Sequence, residues 1–184
     1  MIKKVFLIFI FILFIKPVQA KENIMILKLK DGNVIIELFG ETAPNHVKRF
    51  KQLVKETKYD GVVFHRVIDG FMAQTGDVEF GNSNLESYDI RRAGTGGSEY
   101  PNLKAEFSNI PHERGTISMA RSASPDSANS QFFICFKSTP SLDRQYTVFG
   151  KVVKGMEFVD LIKRGEGSNG EVSDPDKIIS LSAK

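Results

Sequence analysis

Short β-rich runs of apolar residues, separated by polar and glycine-containing turns, recur along most of the chain. Residues 24–30 and 33–39 form the first two runs. Asp31-Gly32 between them predicts a hairpin, because both turn positions tolerate positive φ. Further strands are predicted at 62–67, 115–120, 131–136, 146–153 and 178–181. The stretches 76–101 and 121–130 are rich in turn-forming residues and predict loops.

Two segments have the composition of amphipathic helices. The first begins near Thr42, predicted as its N-cap, and Pro44, which suits a first turn. Its apolar side chains follow at helical spacing: Val47, Phe50, Leu53 and Val54. The second begins at Gly155, with a broad predicted apolar face: Met156, Phe158, Val159, Leu161 and Ile162. Many short strands with only two helices indicate an antiparallel β-barrel or β-sandwich.

Residues 1–20 follow a different pattern, that of a secretory signal peptide. A basic start precedes an unbroken apolar run from Val5 to Ile15, and the small residues that follow predict cleavage after Ala20. The run is too short to span a bilayer comfortably, which takes about 20 apolar residues. Residues 21–184 would then be the mature domain. The alternative is an uncleaved N-terminal anchor.

The charge balance changes once that segment is set aside. The chain has 25 Lys and Arg against 22 Asp and Glu, but three of the lysines lie in residues 1–20, which contain no acid. The remaining 22 basic and 22 acidic residues cancel, so no basic field argues for a nucleic acid or an anionic membrane as a partner. We expect no nucleic-acid binding and no stable membrane insertion after cleavage.

The residues most often used for covalent or metal chemistry give little signal. Cys135 is the single cysteine, so no internal disulfide can form, and its apolar surroundings (FFICF) predict a buried structural thiol. His46, His65 and His112 are scattered without metal-ligand spacing. For His65 we expect a structural hydrogen bond rather than a role as a general base. No metal site is predicted.

Two longer segments carry a specific pattern: FHRVIDGFMAQTGD at 64–77 and GTISMARSASPDSANSQFFICF at 115–136. GTGG at 94–97, AEF at 105–107 and LDRQYTVFGKV at 142–152 extend it. Together they resemble the cyclophilin family, in its exported bacterial form, over essentially the whole chain after residue 23. The resemblance implies an eight-stranded antiparallel β-barrel capped by two α-helices. It also implies a peptidyl-prolyl cis–trans isomerase, or rotamase, that needs no cofactor.

The resemblance places an active site on ten residues. Catalytic roles fall on Arg66, Gln74 and Phe133. Substrate-binding roles fall on Phe71, Met72, Ala120, Arg121, Gln131, Leu142 and Tyr146. Strand alternation agrees with this placement, because Met72 and Gln74 share a face if 71–75 is a strand. Gln131 and Phe133 would likewise face a ligand groove, whereas Phe132 and Ile134 would fill the core.

The implied chemistry requires no nucleophile. An Xaa-Pro bond rotates over a barrier of about 20 kcal/mol that amide resonance creates. An apolar seat for the proline ring would weaken that resonance, and Arg66 would donate to the nitrogen of the twisted amide. Gln74 and the backbone of Arg121 would hold the flanking peptide groups. For Gln131, bracing Arg66 is the alternative to touching substrate.

Three positions depart from the pattern that is common in the family. Ser141 stands where many members have Trp, Tyr146 where they have His, and Arg121 where they have Asn. The small Ser141 leaves one wall of the groove open, so weak cyclosporin binding is expected. The loop at 78–93 is longer than in compact members, and its Tyr88, Arg91 and Arg92 would either touch long substrates or belong to a mobile loop.

The expected partners are proline-containing polypeptides, unfolded or exported. A bacterial periplasm is the predicted location, with secretion or N-terminal anchoring as alternatives. We expect a monomer, and a role in assisting the folding of exported proteins. A binding module that captures proline-containing segments without turnover, as a chaperone or adaptor, is the competing interpretation.

Overall fold

Eight strands and two helices make up the structure, a computed structural model that describes residues 23–184. The strands are β1 (Ile24–Lys28), β2 (Asn33–Leu38), β3 (Arg66–Ile68), β4 (Met72–Thr75), β5 (Thr116–Met119), β6 (Phe132–Cys135), β7 (Val148–Lys154) and β8 (Ser180–Ala183). The helices are α1 (Pro44–Lys55) and α2 (Met156–Val159). The predicted signal peptide and its cleavage point lie outside the described residues. No helix within 23–184 is long and apolar enough to cross a membrane.

The strands form one sheet in the order β3-β4-β6-β5-β7-β2-β1-β8, and every neighbouring pair is antiparallel. The chain just before each edge strand links the two edges. The N–H of Phe64 donates to Asp176 O (2.8 Å), and that of Ile178 donates to Val62 O (2.9 Å). The sheet therefore curls round on itself, which confirms the predicted eight-stranded antiparallel architecture with two helices and excludes a sandwich.

The main core fills the inside of this curled sheet. Alternate residues of β6 point into it, and Phe132 and Ile134 are fully buried there, as predicted. Phe50 of α1 reaches the same core, with its ring centroid 5.3 Å from that of Phe132 and 5.1 Å from that of Phe149. Helix α1 therefore closes one end of the sheet by inserting an aromatic side chain.

The start of helix α1 differs from the prediction. Thr42 is not the N-cap; Ala43 occupies that position and makes no side-chain cap hydrogen bond. Instead, the carboxylate of Glu106 accepts from the backbone N–H groups of Asn45 (3.2 Å) and His46 (3.1 Å). A residue some 60 positions away along the chain therefore satisfies the first turn, and its negative charge also suits the helix dipole.

Several element boundaries also differ from the prediction. Of the strand expected at 62–67, only residues 66 and 67 lie in a strand, β3, which ends at Ile68; the residues before it make only isolated bridges. The last strand begins at Ser180 rather than at residue 178. Helix α2 ends after a single turn, so Leu161 does not continue its apolar face and is 57% exposed. A helix of four residues cannot hold a long amphipathic period.

Asp77 organises the glycine-rich loop that follows β4. Its side chain is fully buried, and one carboxylate oxygen accepts from the N–H groups of Glu79 (3.1 Å) and Phe80 (2.9 Å). The other oxygen accepts from Gly94 (2.7 Å) and Gly96 (2.9 Å). Both ends of the loop are thereby tied to one carboxylate, and the carbonyl groups of its last residues come to lie beside β4 and β6.

Candidate active site

The outward face of β4 and β6 carries a second apolar cluster, separate from the main core. Met72, Phe133 and Cys135 are its buried members. In the pairing of the two strands Met72 lies opposite Cys135, and Gln74 lies opposite Phe133. Partly buried side chains pack against the cluster: Ile68, Phe71, Ala120, Leu142 and Tyr146. The expected alternation therefore holds, with core residues on one face and the predicted groove on the other.

Nine of the ten predicted site residues line a single cavity of about 190 Å³. They are Arg66, Phe71, Met72, Gln74, Ala120, Arg121, Phe133, Leu142 and Tyr146. The cavity is smaller than the roughly 300–1,000 Å³ usual for drug-sized ligands. It is therefore suited to one small apolar group with a polar edge, such as a proline ring and its amide.

A chain of side-chain hydrogen bonds fixes Arg66 at the edge of this cavity. Its Nε donates to Asn169 O (2.9 Å), and its Nη1 donates to Gln74 Oε1 (3.2 Å). Gln74 Nε2 in turn donates to Gln131 Oε1 (3.0 Å). Gln131 Nε2 donates to the carbonyl oxygens of Gly94 (2.9 Å) and Gly96 (2.8 Å). The orientation of Arg66 thus depends on the loop that Asp77 anchors.

Arg66 brings a positive charge to an otherwise apolar place. Partial burial lowers the pKa of its guanidinium from the ordinary value, yet an arginine stays charged at any physiological pH. No Asp or Glu among residues 23–184 forms an ion pair with it. Its charge is therefore available to a ligand.

Gln131 does not line the small cavity. It borders a neighbouring cavity of about 350 Å³, together with the glycine-rich segment 94–97, Asn129 and Arg121. Its amide makes three hydrogen bonds within the protein. This geometry fits the alternative that the sequence left open, in which Gln131 braces Gln74 and Arg66.

The far wall of the small cavity, Leu142 and Tyr146, lies beside His112, whose ring centroid is 6.5 Å from that of Tyr146. The His112 Nδ1 lies 2.9 Å from Asp143 Oδ1, and its Nε2 lies 3.1 Å from Ser118 Oγ. The imidazole also stacks on Phe133, with centroids 6.1 Å apart and planes at 17°. Sequence reasoning missed this residue, because nothing in the segment around it predicts which ring it meets.

The order Asp143, His112, Ser118 resembles a hydrolytic triad, but the geometry does not support that chemistry. Ser118 is fully buried, and its Oγ donates to Thr147 O (2.9 Å). A nucleophile needs access to substrate, which this hydroxyl lacks. The three residues instead connect the cavity wall to the Phe133 ring.

Two other reactive residue types also prove structural. Burial raises the pKa of Cys135 to about 12, which keeps the thiol protonated and inert, as the sequence predicted. Burial lowers the pKa of His65 to about 4, so the ring is neutral near pH 7. The prediction of a structural hydrogen bond for His65 is wrong, because within the described residues neither ring nitrogen has a hydrogen-bond partner of good geometry. The ring instead packs closely against Gly94.

The loop residues that were candidates for contacts with long substrates divide into two groups. Arg91 pairs with Asp89 (3.1 Å) and borders a third cavity of about 640 Å³, which also includes Arg66. Arg92 stacks over the Phe80 ring at 3.4 Å. Neither Arg92 nor Tyr88 lines that cavity or the two beside it. Of the three, Arg91 alone borders the cavities next to Arg66.

The comparisons with known proteins identify the family of the chain. Residues 24–183 match the family model described as cyclophilin type peptidyl-prolyl cis-trans isomerase/CLD. The chain is 62% identical to a probable peptidyl-prolyl cis-trans isomerase of Brucella suis over 159 residues, which cover 86% of this chain and 81% of the relative. It is 42% identical to a peptidyl-prolyl cis-trans isomerase of Helicobacter pylori, over 80% of this chain and 85% of the relative.

The chain is also similar to solved structures of cyclophilins. Cyclophilin AquaCyp293 from Hirschia baltica superposes with a TM-score of 0.74 at 25% identity, covering 89% of this chain and 74% of that one. A cyclophilin type peptidyl-prolyl cis-trans isomerase of Cryptosporidium parvum, crystallised in the presence of the dipeptide Ala-Pro, also has a TM-score of 0.74. Its identity is 26%, and the match covers 88% of this chain and 98% of that one.

Proposed function

The chain belongs to the cyclophilin-type peptidyl-prolyl cis–trans isomerase family, and we propose that it turns the Xaa-Pro bonds of exported proteins in the cavity beside Arg66. The isomerase activity itself follows from the family match and from the named relatives. Nine of the predicted site residues line one small cavity, and this observation supports placing the activity there.

The apolar part of the cavity would receive the proline ring. Phe71, Met72, Phe133 and Leu142 line it. Amide resonance separates charge between oxygen and nitrogen, and water stabilises that separation. An apolar seat removes the water, which favours the twisted amide over the planar one and lowers a barrier of about 20 kcal/mol.

Arg66 would act on the nitrogen of the proline. When the bond twists, the nitrogen lone pair localises and can accept a hydrogen bond, whereas in the planar amide it cannot. A fixed cationic donor at this edge therefore binds the twisted state more strongly than either planar state. The bonds from Arg66 to Asn169 and Gln74 provide that fixation before substrate arrives.

Gln74 has two proposed contributions. Its oxygen orients Arg66, and one N–H of its amide is occupied by Gln131. An amide NH₂ has two hydrogens, so one N–H is left to hold a substrate carbonyl next to the proline. Ala120 and Arg121, on the rim between the two cavities, would contact the same flanking peptide.

The substrate class is proline-containing polypeptide. The Cryptosporidium relative crystallised in the presence of Ala-Pro supports this choice. We propose that the protein works as a monomer. We also propose that it binds no nucleic acid, because residues 21–184 are formally neutral. Size measurement in solution, and titration with single-stranded DNA, would test these two points.

Cyclosporin should bind weakly, because Ser141 is exposed and does not line the cavity, so one wall stays open. Replacing Ser141 with Trp should tighten binding while changing turnover on small peptides less. Calorimetric titration of both proteins measures this, and equal affinities would contradict the interpretation.

The cellular role is proposed from residues 1–20, whose pattern is that of an export signal. On this basis the proposed role is that of a periplasmic enzyme that assists the folding of exported proteins. Secretion and an N-terminal anchor are the alternatives. Mass spectrometry of the natural N-terminus distinguishes these. A chain that begins at Lys21 supports export and cleavage, and an intact N-terminus supports the anchor.

The site is tested with residues 21–184 and one Xaa-Pro peptide by exchange NMR. Cis–trans exchange should accelerate, and the protein amides that shift on binding should surround the small cavity. Residues of β1 serve as a reference region, because none of them lines the small cavity or the two cavities beside it. Acceleration with shifts centred elsewhere would contradict this site, and binding without acceleration would favour the binding module.

A further inference from the structure

Arg121 stands on the rim between the 190 Å³ cavity and the 350 Å³ cavity, and it lines both. The two cavities also share Gln74 and Ala120, so they are contiguous. A peptide with its proline in the small cavity therefore passes Arg121 when its chain continues toward the larger one.

The protein itself holds the Arg121 side chain in place. The guanidinium lies 4.4 Å from the centroid of the Tyr146 ring. Its Nε and Nη2 donate to Gln145 O (3.2 and 3.1 Å), and its Nη1 donates to Ser122 O (2.9 Å) and Ala123 O (3.3 Å). Because the side chain is already ordered, a ligand that binds to it does not have to immobilise a flexible arginine.

The charge of Arg121 is not neutralised by these contacts. Its acceptors are all backbone carbonyl oxygens, whereas Arg114 and Arg164 bond to the carboxylates of Asp160 (2.6 Å) and Asp69 (3.0 Å). No Asp or Glu among residues 23–184 lines either of the two cavities. A guanidinium has five N–H groups and the four bonds use four of them, so one on Nη2 is left for a ligand.

Arg66 adds a second positive charge to the same groove. Two like charges in a cleft with partly apolar walls reinforce each other's potential and attract anions. The larger cavity has room for a side chain next to the proline, and its lining is small and polar: Gly96, Gly97, Ser98, Asn102 and Asn129.

We propose that Arg121 is a specificity-determining residue, which makes the enzyme prefer an Asp or Glu side chain next to the proline. The preferred acid lies on the side of the substrate that extends from the small cavity into the larger one. A carboxylate there meets the remaining N–H of a pre-ordered planar cation. This selectivity rests on the proposed location of the active site.

The test uses four peptides, with Glu or Gln placed directly before or directly after the same proline. Exchange NMR with residues 21–184 gives kcat/KM for each peptide. On one side of the proline we expect the Glu peptide to be favoured about three- to tenfold over its Gln partner, as for a partly exposed charge pair. The other side should show a ratio near one. The preference should shrink as sodium chloride rises toward 1 M.

Variants locate the effect. Arg121→Gln should bring the Glu/Gln ratio close to one, and Arg121→Lys should keep part of it because the charge remains. Arg144→Gln is the matched control: it removes the same charge from an exposed residue that lines neither cavity, and the ratio should persist. Ratios near one on both sides in the wild type, or a ratio unchanged in Arg121→Gln, would overturn the proposal.

The outcomes also separate this inference from the proposed function. Normal turnover of the Gln peptides without a Glu preference contradicts the role of Arg121 alone. Absence of turnover on all four peptides contradicts the proposed site. In that case the ratio of dissociation constants for the Glu and Gln peptides, from NMR shift titration, still tests the acidic preference.

Discussion

Strands β4 and β6 carry similar residues on their two faces, but the inner face packs into the core and the outer face lines the candidate site. On the inner face, Phe132 meets other aromatic rings at centroid distances of 5.3 to 6.3 Å and is fully buried. On the outer face, Phe133 is almost as buried but borders a cavity and a charged network. Neighbouring residues of one strand therefore divide stability from chemistry, and substitutions should reveal that division.

The largest expected effect is on the inner face. Phe132→Ala should lower the free energy of unfolding by about 3–5 kcal/mol, because the aromatic core around it cannot collapse to fill the space. Denaturant titration measures this. The matched variant Phe133→Ala should lose peptide binding and turnover, with a smaller loss of stability because its cavity is open to solvent. Equal losses of stability with unchanged peptide binding would contradict the division.

The next effect is on the outer face. Arg66→Ala should slow isomerisation about a hundredfold, or by about 3 kcal/mol of barrier, while the fold and peptide binding largely survive. Exchange NMR measures the rate, and shift titration measures the affinity. Arg66→Lys should rescue little, since an ammonium does not reproduce the planar fork. Near-normal exchange in folded Arg66→Ala would favour the binding module instead.

The same division between stability and chemistry applies at the start of β3, where the buried His65 directly precedes Arg66. Burial holds the pKa of His65 at about 4, below its ordinary 6.5, so the unfolded chain binds a proton there that the folded chain does not. Stability should therefore fall as pH drops from 6.5 toward 4, by at most about 1.4 kcal/mol per pH unit from this group.

Denaturant unfolding at pH 7, 5.5 and 4.5 measures this loss, and His65→Gln should flatten the curve. The buried His46, whose pKa burial also lowers, contributes in both proteins and cancels in the comparison. Identical pH dependence of wild type and variant would show that His65 does not titrate as described.

The smallest expected effect concerns Gln131, which holds Gln74 and through it Arg66. Gln131→Ala should lower kcat about tenfold with little change in KM, because it loosens Gln74 and Arg66 without removing a substrate contact. Asn102→Ala is the control, since it alters the same 350 Å³ cavity but not the network. A rise in KM at constant kcat would instead assign Gln131 to substrate binding.

The sequence predicted the parts of the structure that depend on local period. Alternation within β6 placed Phe132 inside and Phe133 outside. Asp31-Gly32 predicted the first hairpin, although neither turn residue adopts the positive φ that the prediction used. The resemblance to a known family supplied the site residues, and nine of them meet. None of these inferences needed a partner far away along the chain.

The remaining features depend on such distant partners. Glu106 caps helix α1 in place of Thr42, and His112 stacks under Phe133. Neither contact leaves a periodic trace, because a hydrogen bond or ring contact between distant segments exists only after the barrel has formed. For the same reason the sequence could not decide whether Gln131 touches substrate or braces Arg66.

The carboxylate of Asp77 has a consequence for how this enzyme can be altered. It grips the loop at Glu79 and Phe80 on one side and at Gly94 and Gly96 on the other, so residues 85–93 lie between two fixed points. Lengthening a loop whose ends are already held adds little entropic cost. Within this segment, the exposed residues 85–87 are therefore a place where a targeting or recognition peptide could be grafted while the carbonyls that hold Gln131 stay in position.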